Sequence, residues 1–269
     1  MKKFFIKICK FFGFEIIDQN EFTSPTLNKE LNEDLSILNK KSIVLPLGEV
    51  KITREVKSIL IVIRVNTKIE NLDKIKEIIK DVNAEIISLD TKKFEAKIKK
   101  QKTQQTFSNL ASLYQCFEIG KEIGEDLIFF IEDDYLHFET MLEEMIATYE
   151  RVSSQIGKDI FMCPADYPYL YMNNEKTNIL IGNKRHWRTI AKTLCTFLTS
   201  KKLLDLYWEN FTKNCEDRHD PFEKYINEIY KNEFCISPLK SLSVHLTNVN
   251  SSYGLSPFID YKNLWDQNK

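Results

Sequence analysis

Residues 126–134 read DLIFFIEDD, five apolar side chains in succession followed by three carboxylates. A short uninterrupted apolar run with β-branched and aromatic members is the pattern of a strand buried on both faces of a sheet. Side chains alternate along a strand, so Glu132 and Asp134 fall on one side and Asp133 on the other, and the first and third can converge on one cation. In open α/β sheets ligands bind beyond the carboxyl ends of the strands, where this triplet lies. The plainer alternative is that Asp133 or Asp134 caps a helix starting near His137.

Working outward, residues 58–65 (SILIVIRV) form a second buried-strand pattern. Leu72, Ile75, Ile78, Ile79 and Val82 then keep helical spacing, and residues 84–89 (AEIISL) predict another strand ending at Asp90. Phe107, Leu110, Tyr114 and Phe117 mark the helix that leads into 126–131. Downstream come an amphipathic helix through Met141, Met145 and Tyr149, a strand at 159–163 (DIFMC) and a hairpin around Asn183. Helices over 203–211 and 222–230 and a short strand in 241–246 (SLSVHL) complete the series. Strands alternating with helices predict an α/β fold, a mostly parallel sheet flanked by helices with a small antiparallel addition in the second half.

The totals narrow the chemistry. The chain has 269 residues, 38 basic against 39 acidic, for a formal net charge of −1. That balance lacks the basic excess of a nucleic-acid partner. Only seven glycines are present, and GxxxxGK[ST], GxGxxG after the first strand and GxSxG are all missing. This argues against a P-loop NTPase, a Rossmann dehydrogenase and an α/β-hydrolase. Six cysteines without a CxxC pair read as structural residues of a reducing, cytoplasmic protein. No apolar run is long enough to span a bilayer.

Residues 1–17 (MKKFFIKICKFFGFEII) place Phe4, Phe5, Ile8, Phe11 and Phe12 on one helical face and Lys3, Lys7 and Lys10 on another. Such a helix suits either an anionic membrane surface, the inner face of the plasma membrane, or the protein's own core. Residues 18–42 read as a linker, which makes 1–42 an appendage to a domain at 43–269.

The order strand, helix, strand ending in Asp90, helix, strand ending in EDD resembles the nucleotide-sugar-binding half of GT-A-fold glycosyltransferases. The likeness is most specific at 108–136 (SNLASLYQCFEIGKEIGEDLIFFIEDDYL), with Glu132-Asp133-Asp134 as a variant of the Asp-x-Asp motif. It covers roughly residues 58–260, a nucleotide half at 58–136 and an acceptor half at 137–260. The resemblance implies an enzyme that moves a sugar from a nucleotide-diphosphate donor to a hydroxyl of a glycan or lipid-linked acceptor, in cell-surface polysaccharide synthesis. Two alternatives stay open, a metal-dependent nucleotidyl or phosphoryl transferase and a non-catalytic, membrane-docked relative.

The same resemblance implies roles for particular residues. Glu132, Asp134 and the late His245 would hold Mn²⁺ or Mg²⁺, a mixed carboxylate and imidazole set suited to either ion. Arg64, Asn66, Asp90, Asn109 and Asp133 would approach the nucleotide, Asn109 from the start of its helix. An inverting reaction needs a base, and Asp217 and Asp220 in CEDRHDP are the candidates, with Asp220 as helix N-cap and Pro221 at the first helical position. Apart from the resemblance, two clusters, Asp166-Tyr167-Pro168-Tyr169 with Tyr171 and His186-Trp187-Arg188, combine flat apolar faces with polar tips, as sugar contacts do, and single out Asp166, Tyr167 and Trp187. Arg188 would match the departing diphosphate.

Overall fold

The computed structural model describes residues 50–65, 76–77, 80, 84–171, 176–193, 195–246 and 258–268. The N-terminal amphipathic helix, the linker, Asn66 and most of the helix expected over 72–82 lie outside the described residues. The chain divides into two units, Met1–Arg54 with Glu150–Lys158, and Glu55–Tyr149 with Asp159–Lys269. In the smaller unit Ser154 Oγ accepts the backbone N–H groups of Thr53 and Arg54, each at 2.9 Å.

The larger unit is built on a mixed seven-stranded sheet. In chain order its strands are β1 (Ile59–Arg64), β2 (Leu127–Glu132), β4 (Phe161–Met162), β5 (Ile179–Ile181), β6 (His186–Thr189), β7 (Phe197–Ser200) and β8 (Cys235–Pro238). Across the sheet the order is β1-β2-β7-β4-β8-β6-β5, with β6 and β7 running against the other five. A separate two-stranded ribbon pairs β3 (Tyr135–His137) with β9 (Ser243–His245). Among the described residues the helices include α1 (Gln104–Ile123), α2 (Met141–Ile156), α3 (Lys201–Leu206), α4 (Trp208–Glu216), α5 (Lys224–Ile229) and α6 (Tyr261–Gln267).

β2 is buried along its apolar length, as its sequence predicts. Phe130 meets Phe117 of α1 edge-on at 5.1 Å and Phe197 of β7 at 5.4 Å, and Phe117 meets Phe211 of α4 at 5.0 Å. This aromatic set joins the sheet to its helical layer, each pair adding to simple area burial. Farther along the sheet Trp187 is fully buried, and its indole N–H donates to Glu144 Oε1 at 3.2 Å. Glu144 also accepts Lys184 N at 2.8 Å and Thr148 Oγ at 3.1 Å. Gly182 is needed beneath the indole, because a Cβ there would stand 2.3 Å from it.

Several expectations are corrected. β1 is an edge strand of the described sheet, not one buried on both faces: Val62 is 8% exposed but Ile61 and Ile63 are 41% and 56%. Residues 84–89 are not a strand; the side chain of Gln115 bonds Ser88 O and Asp90 N, each at 3.1 Å, in place of a ladder. Helix α1 starts at Gln104 behind the Thr103 cap, so Asn109 lies within the helix and not at its start. No helix follows the acidic triplet directly, since β3 intervenes before α2, and the capping alternative for Asp133 and Asp134 falls. Asp220 is not an N-cap and Pro221 is outside the helix. Helix α5 begins three residues later, and Asn214 Oδ1, reaching from α4, accepts Tyr225 N at 3.1 Å.

Cys163, Cys195, Cys215 and Cys235 are buried free thiols, and burial pushes the Cys163 thiol up to about 12, so they behave as small apolar groups. No helix among the described residues is long and apolar enough to cross a membrane.

Candidate metal centre

β1 and β2 run parallel in a register that sets Arg64 opposite Glu132 at their carboxyl ends. Past Glu132 the chain turns, and Asp133 N donates to Arg64 O at 3.1 Å, which fixes the turn to the end of β1. Thr196 Oγ1, just before β7, accepts Glu132 N at 3.0 Å. The chain re-enters as β3, where Tyr135 pairs with His245 and Leu246 N donates to Asp134 O at 2.8 Å. Two strands distant in sequence thus hold Asp134 beside His245.

Glu132, Asp134 and His245 each offer a ligand atom, and those atoms lie within 4.8 Å of one another. His245 Nε2 is 2.9 Å from Asp134 Oδ2. Burial would raise the Asp134 carboxyl, but the hydrogen bond and charge of His245, aided by the Asp134 backbone N–H and by Arg64, outweigh it and hold it below the ordinary value. Asp134 is therefore the carboxylate and Nε2–H the donor. The other oxygen, Asp134 Oδ1, is buried without a hydrogen-bond partner. An orphaned carboxylate oxygen is costly unless something electropositive meets it. Two carboxylates, one with that orphan, and an imidazole fit a hard divalent cation that keeps other positions for water or phosphate.

The imidazole is held firmly. The Tyr135 ring stacks on it at 4.6 Å and 13°, and Tyr135 Oη is 2.6 Å from Tyr167 Oη. His137, on the same ribbon, is 2.7 Å through Nδ1 from Ser243 Oγ, and burial lowers its pKa to about 4, which keeps it neutral.

The other predicted residues separate into groups. Arg64 and Asn109 join the centre: Arg64 bonds Glu132 through Nη2 and Asn109 Oδ1 through Nη1. Asp133 is exposed at the turn. Asp90 is also exposed, and its carboxylate caps a 3₁₀ turn over Thr91–Phe94 by accepting Lys92 N at 3.2 Å and Lys93 N at 3.4 Å. Arg188 is committed to Asp166, with Nη2 and Nε at 2.8 and 3.1 Å from one oxygen, and its guanidinium lies 4.1 Å over the exposed Tyr171 ring. Tyr167 and Trp187 are buried, so neither presents its ring face to a sugar; their roles are the Tyr135 bond and the core. Asp217 sits elsewhere, accepting Gln101 Nε2 at 3.1 Å with Lys99 Nζ 3.6 Å away, and the Gln101 bond helps hold its pKa low. Asp220 is exposed.

Sequence reasoning passed over Glu223. This carboxylate is 6% exposed, and Cys195 Sγ donates to it at 3.5 Å. Burial raises its pKa to about 7, against smaller opposing effects from its own backbone N–H, Cys195, His245 and Arg64. The only signal for it in the sequence is its place six residues beyond Asp217, in a segment with three other acidic residues. No family model matches this chain, and no curated protein matches it.

Proposed function

We propose that this protein is a metal-dependent glycosyltransferase of GT-A type, moving a sugar from a nucleoside-diphosphate donor to a hydroxyl acceptor. The observation that carries the reading is the convergence of Glu132, Asp134 and His245 within 4.8 Å at the carboxyl end of β2, with Asp134 Oδ1 buried and unpartnered. Glu132, Asp134 and His245 would hold Mn²⁺ or Mg²⁺, which supplies neutralisation of charge on the departing diphosphate. Arg64 offers a planar guanidinium for the phosphate oxygens, and Asn109 orients it.

For inversion at the anomeric carbon, the bond from carbon to the diphosphate oxygen breaks as the acceptor oxygen bonds on the opposite face, and the hydroxyl proton must leave. Glu223 is the carboxylate best suited to take it, because a base with pKa near 7 is half ionised at neutral pH. Asp217, held by Gln101 and kept below the ordinary carboxylate range, is the weaker base.

The test is a panel of UDP-, GDP-, CDP- and dTDP-sugars, each with Mn²⁺, followed for release of nucleoside diphosphate and free or transferred sugar. Metal-dependent release of the diphosphate from one donor is expected. No binding or turnover of any donor removes the reading, and release of a sugar phosphate instead places the chain with nucleotidyl or phosphoryl transferases.

With a donor in hand, Glu223→Gln is expected to lower turnover by about 10²–10⁴-fold. The pH–rate limb near 7 should vanish with it while donor binding stays. A limb retained in Glu223→Gln assigns the base elsewhere. Stability reports the same group without turnover. A carboxyl with a raised pKa binds a proton in the folded state that the unfolded state has released, so stability falls as pH rises from about 4.5 to about 7. Denaturant midpoints of Glu223→Gln should lack that component of the slope.

A further inference from the structure

We propose that Arg64 is a built-in cation that occupies the metal centre's Glu132 carboxylate and competes with a divalent ion for it, so that metal enters readily only together with a diphosphate. This rests on the reading of Glu132, Asp134 and His245 as a cation site and goes beyond it by giving that site a resident competitor.

The register of β1 on β2 fixes Arg64 as the direct cross-strand neighbour of Glu132, the position from which opposite charges on a sheet interact most strongly. The contact is made by Nη2, and Nη1 is held at the same time by Asn109 Oδ1 from α1. Both ends of the fork are thus anchored to different elements. The Arg64 and Glu132 side chains are only 19% and 17% exposed, so salt screens the pair weakly.

Charge counting gives the consequence. Glu132, Asp134 and Arg64 together leave one net negative charge. A divalent cation would turn that into one net positive charge, with Arg64 and the ion facing each other across Glu132. The diphosphate of a nucleotide sugar brings two negative charges and restores the balance, and a guanidinium released from Glu132 matches phosphate oxygens in a bidentate manner. Metal and diphosphate are therefore coupled ligands, and coupling of this kind is reciprocal.

The experiment titrates Mn²⁺ into the full chain without nucleotide, reading free Mn²⁺ by electron paramagnetic resonance. Arg64→Gln is expected to bind Mn²⁺ about tenfold or more tightly than the wild type, within the usual range of such couplings. Arg64→Lys, which keeps the charge, should stay within about threefold of wild type. If Arg64→Gln does not fold by circular dichroism, Asn109→Ala frees one end of the clamp and should shift the affinity in the same direction. Equal or weaker Mn²⁺ binding by Arg64→Gln, or by Asn109→Ala where that variant stands in, overturns the competition and leaves the metal centre intact. Absence of Mn²⁺ binding by every variant, with UDP or GDP present as well as without, removes the metal centre and this inference together.

Discussion

Asp134→Ala should lose Mn²⁺ binding by at least about 100-fold, since even outer-shell partners of metal sites cost 10–100-fold when removed. Asp134 joins the two halves of the centre: its Oδ2 meets His245, its Oδ1 is buried without a partner, and its backbone carbonyl accepts Leu246 N. Alanine keeps the last of these, so β3 and β9 remain paired while the ligand disappears. Isothermal titration of Mn²⁺ in the presence of a nucleoside diphosphate checks the result, with circular dichroism confirming the fold. Asp133→Ala serves as the contrast, because Asp133 is exposed at the turn and lies outside the converging set, and it should leave Mn²⁺ affinity within about threefold. Similar losses in both variants would show that bulk negative charge, and not the Asp134 geometry, attracts the ion.

Trp187→Ala is expected to destabilise the protein by about 3–5 kcal/mol, the range for truncating a fully buried large aromatic side chain. Two effects add. The indole leaves a cavity in a region where Gly182 has no side chain with which to fill it. Glu144, 2% exposed, also loses one of its donors while Lys184 N and Thr148 Oγ remain, and partial loss of hydrogen bonding to a buried carboxylate is costly. Urea unfolding measures the loss as a lower midpoint. Trp187→Phe, which restores most of the volume but no N–H, separates the two effects. A loss below about 1 kcal/mol for Trp187→Ala would mean that the indole is not the packing element its burial implies.

The sequence made the centre of the fold legible because the information there is local. Five apolar residues followed by EDD can hardly be other than a buried strand ending in acid, and β2 is that. His245 was identifiable only by resemblance, since nothing in SLSVHL says that it will pair with Tyr135; the ribbon is a tertiary event. β1 misled for a related reason. Its β-branched run is the same whether one face of the strand is covered or both, and Ile61 and Ile63 share the face that stays exposed. Residues 84–89 show a strong strand propensity, yet no described strand pairs with them, and Gln115 bonds Ser88 O and Asp90 N at the end of the run. The aromatic residues at 167 and 187 looked alike in sequence to sugar-binding rings, because amphipathic rings serve cores and ligands equally well. Glu223 is not legible in the sequence because its raised pKa comes from burial, which only the tertiary fold sets, and the Cys195, His245 and Arg64 groups merely oppose it.

The span between Asp134 and His245, 111 residues, also gives the centre a schedule. On a ribosome adding 5–20 residues per second, the two carboxylates precede the imidazole by roughly 6–22 seconds. Throughout that interval β3 has no partner strand, and the nascent chain carries an acidic turn with Arg64 already available to neutralise it. The complete ligand set comes into being only once synthesis has passed residue 245, so a product terminated before it would carry the carboxylates without the third ligand that makes them a site.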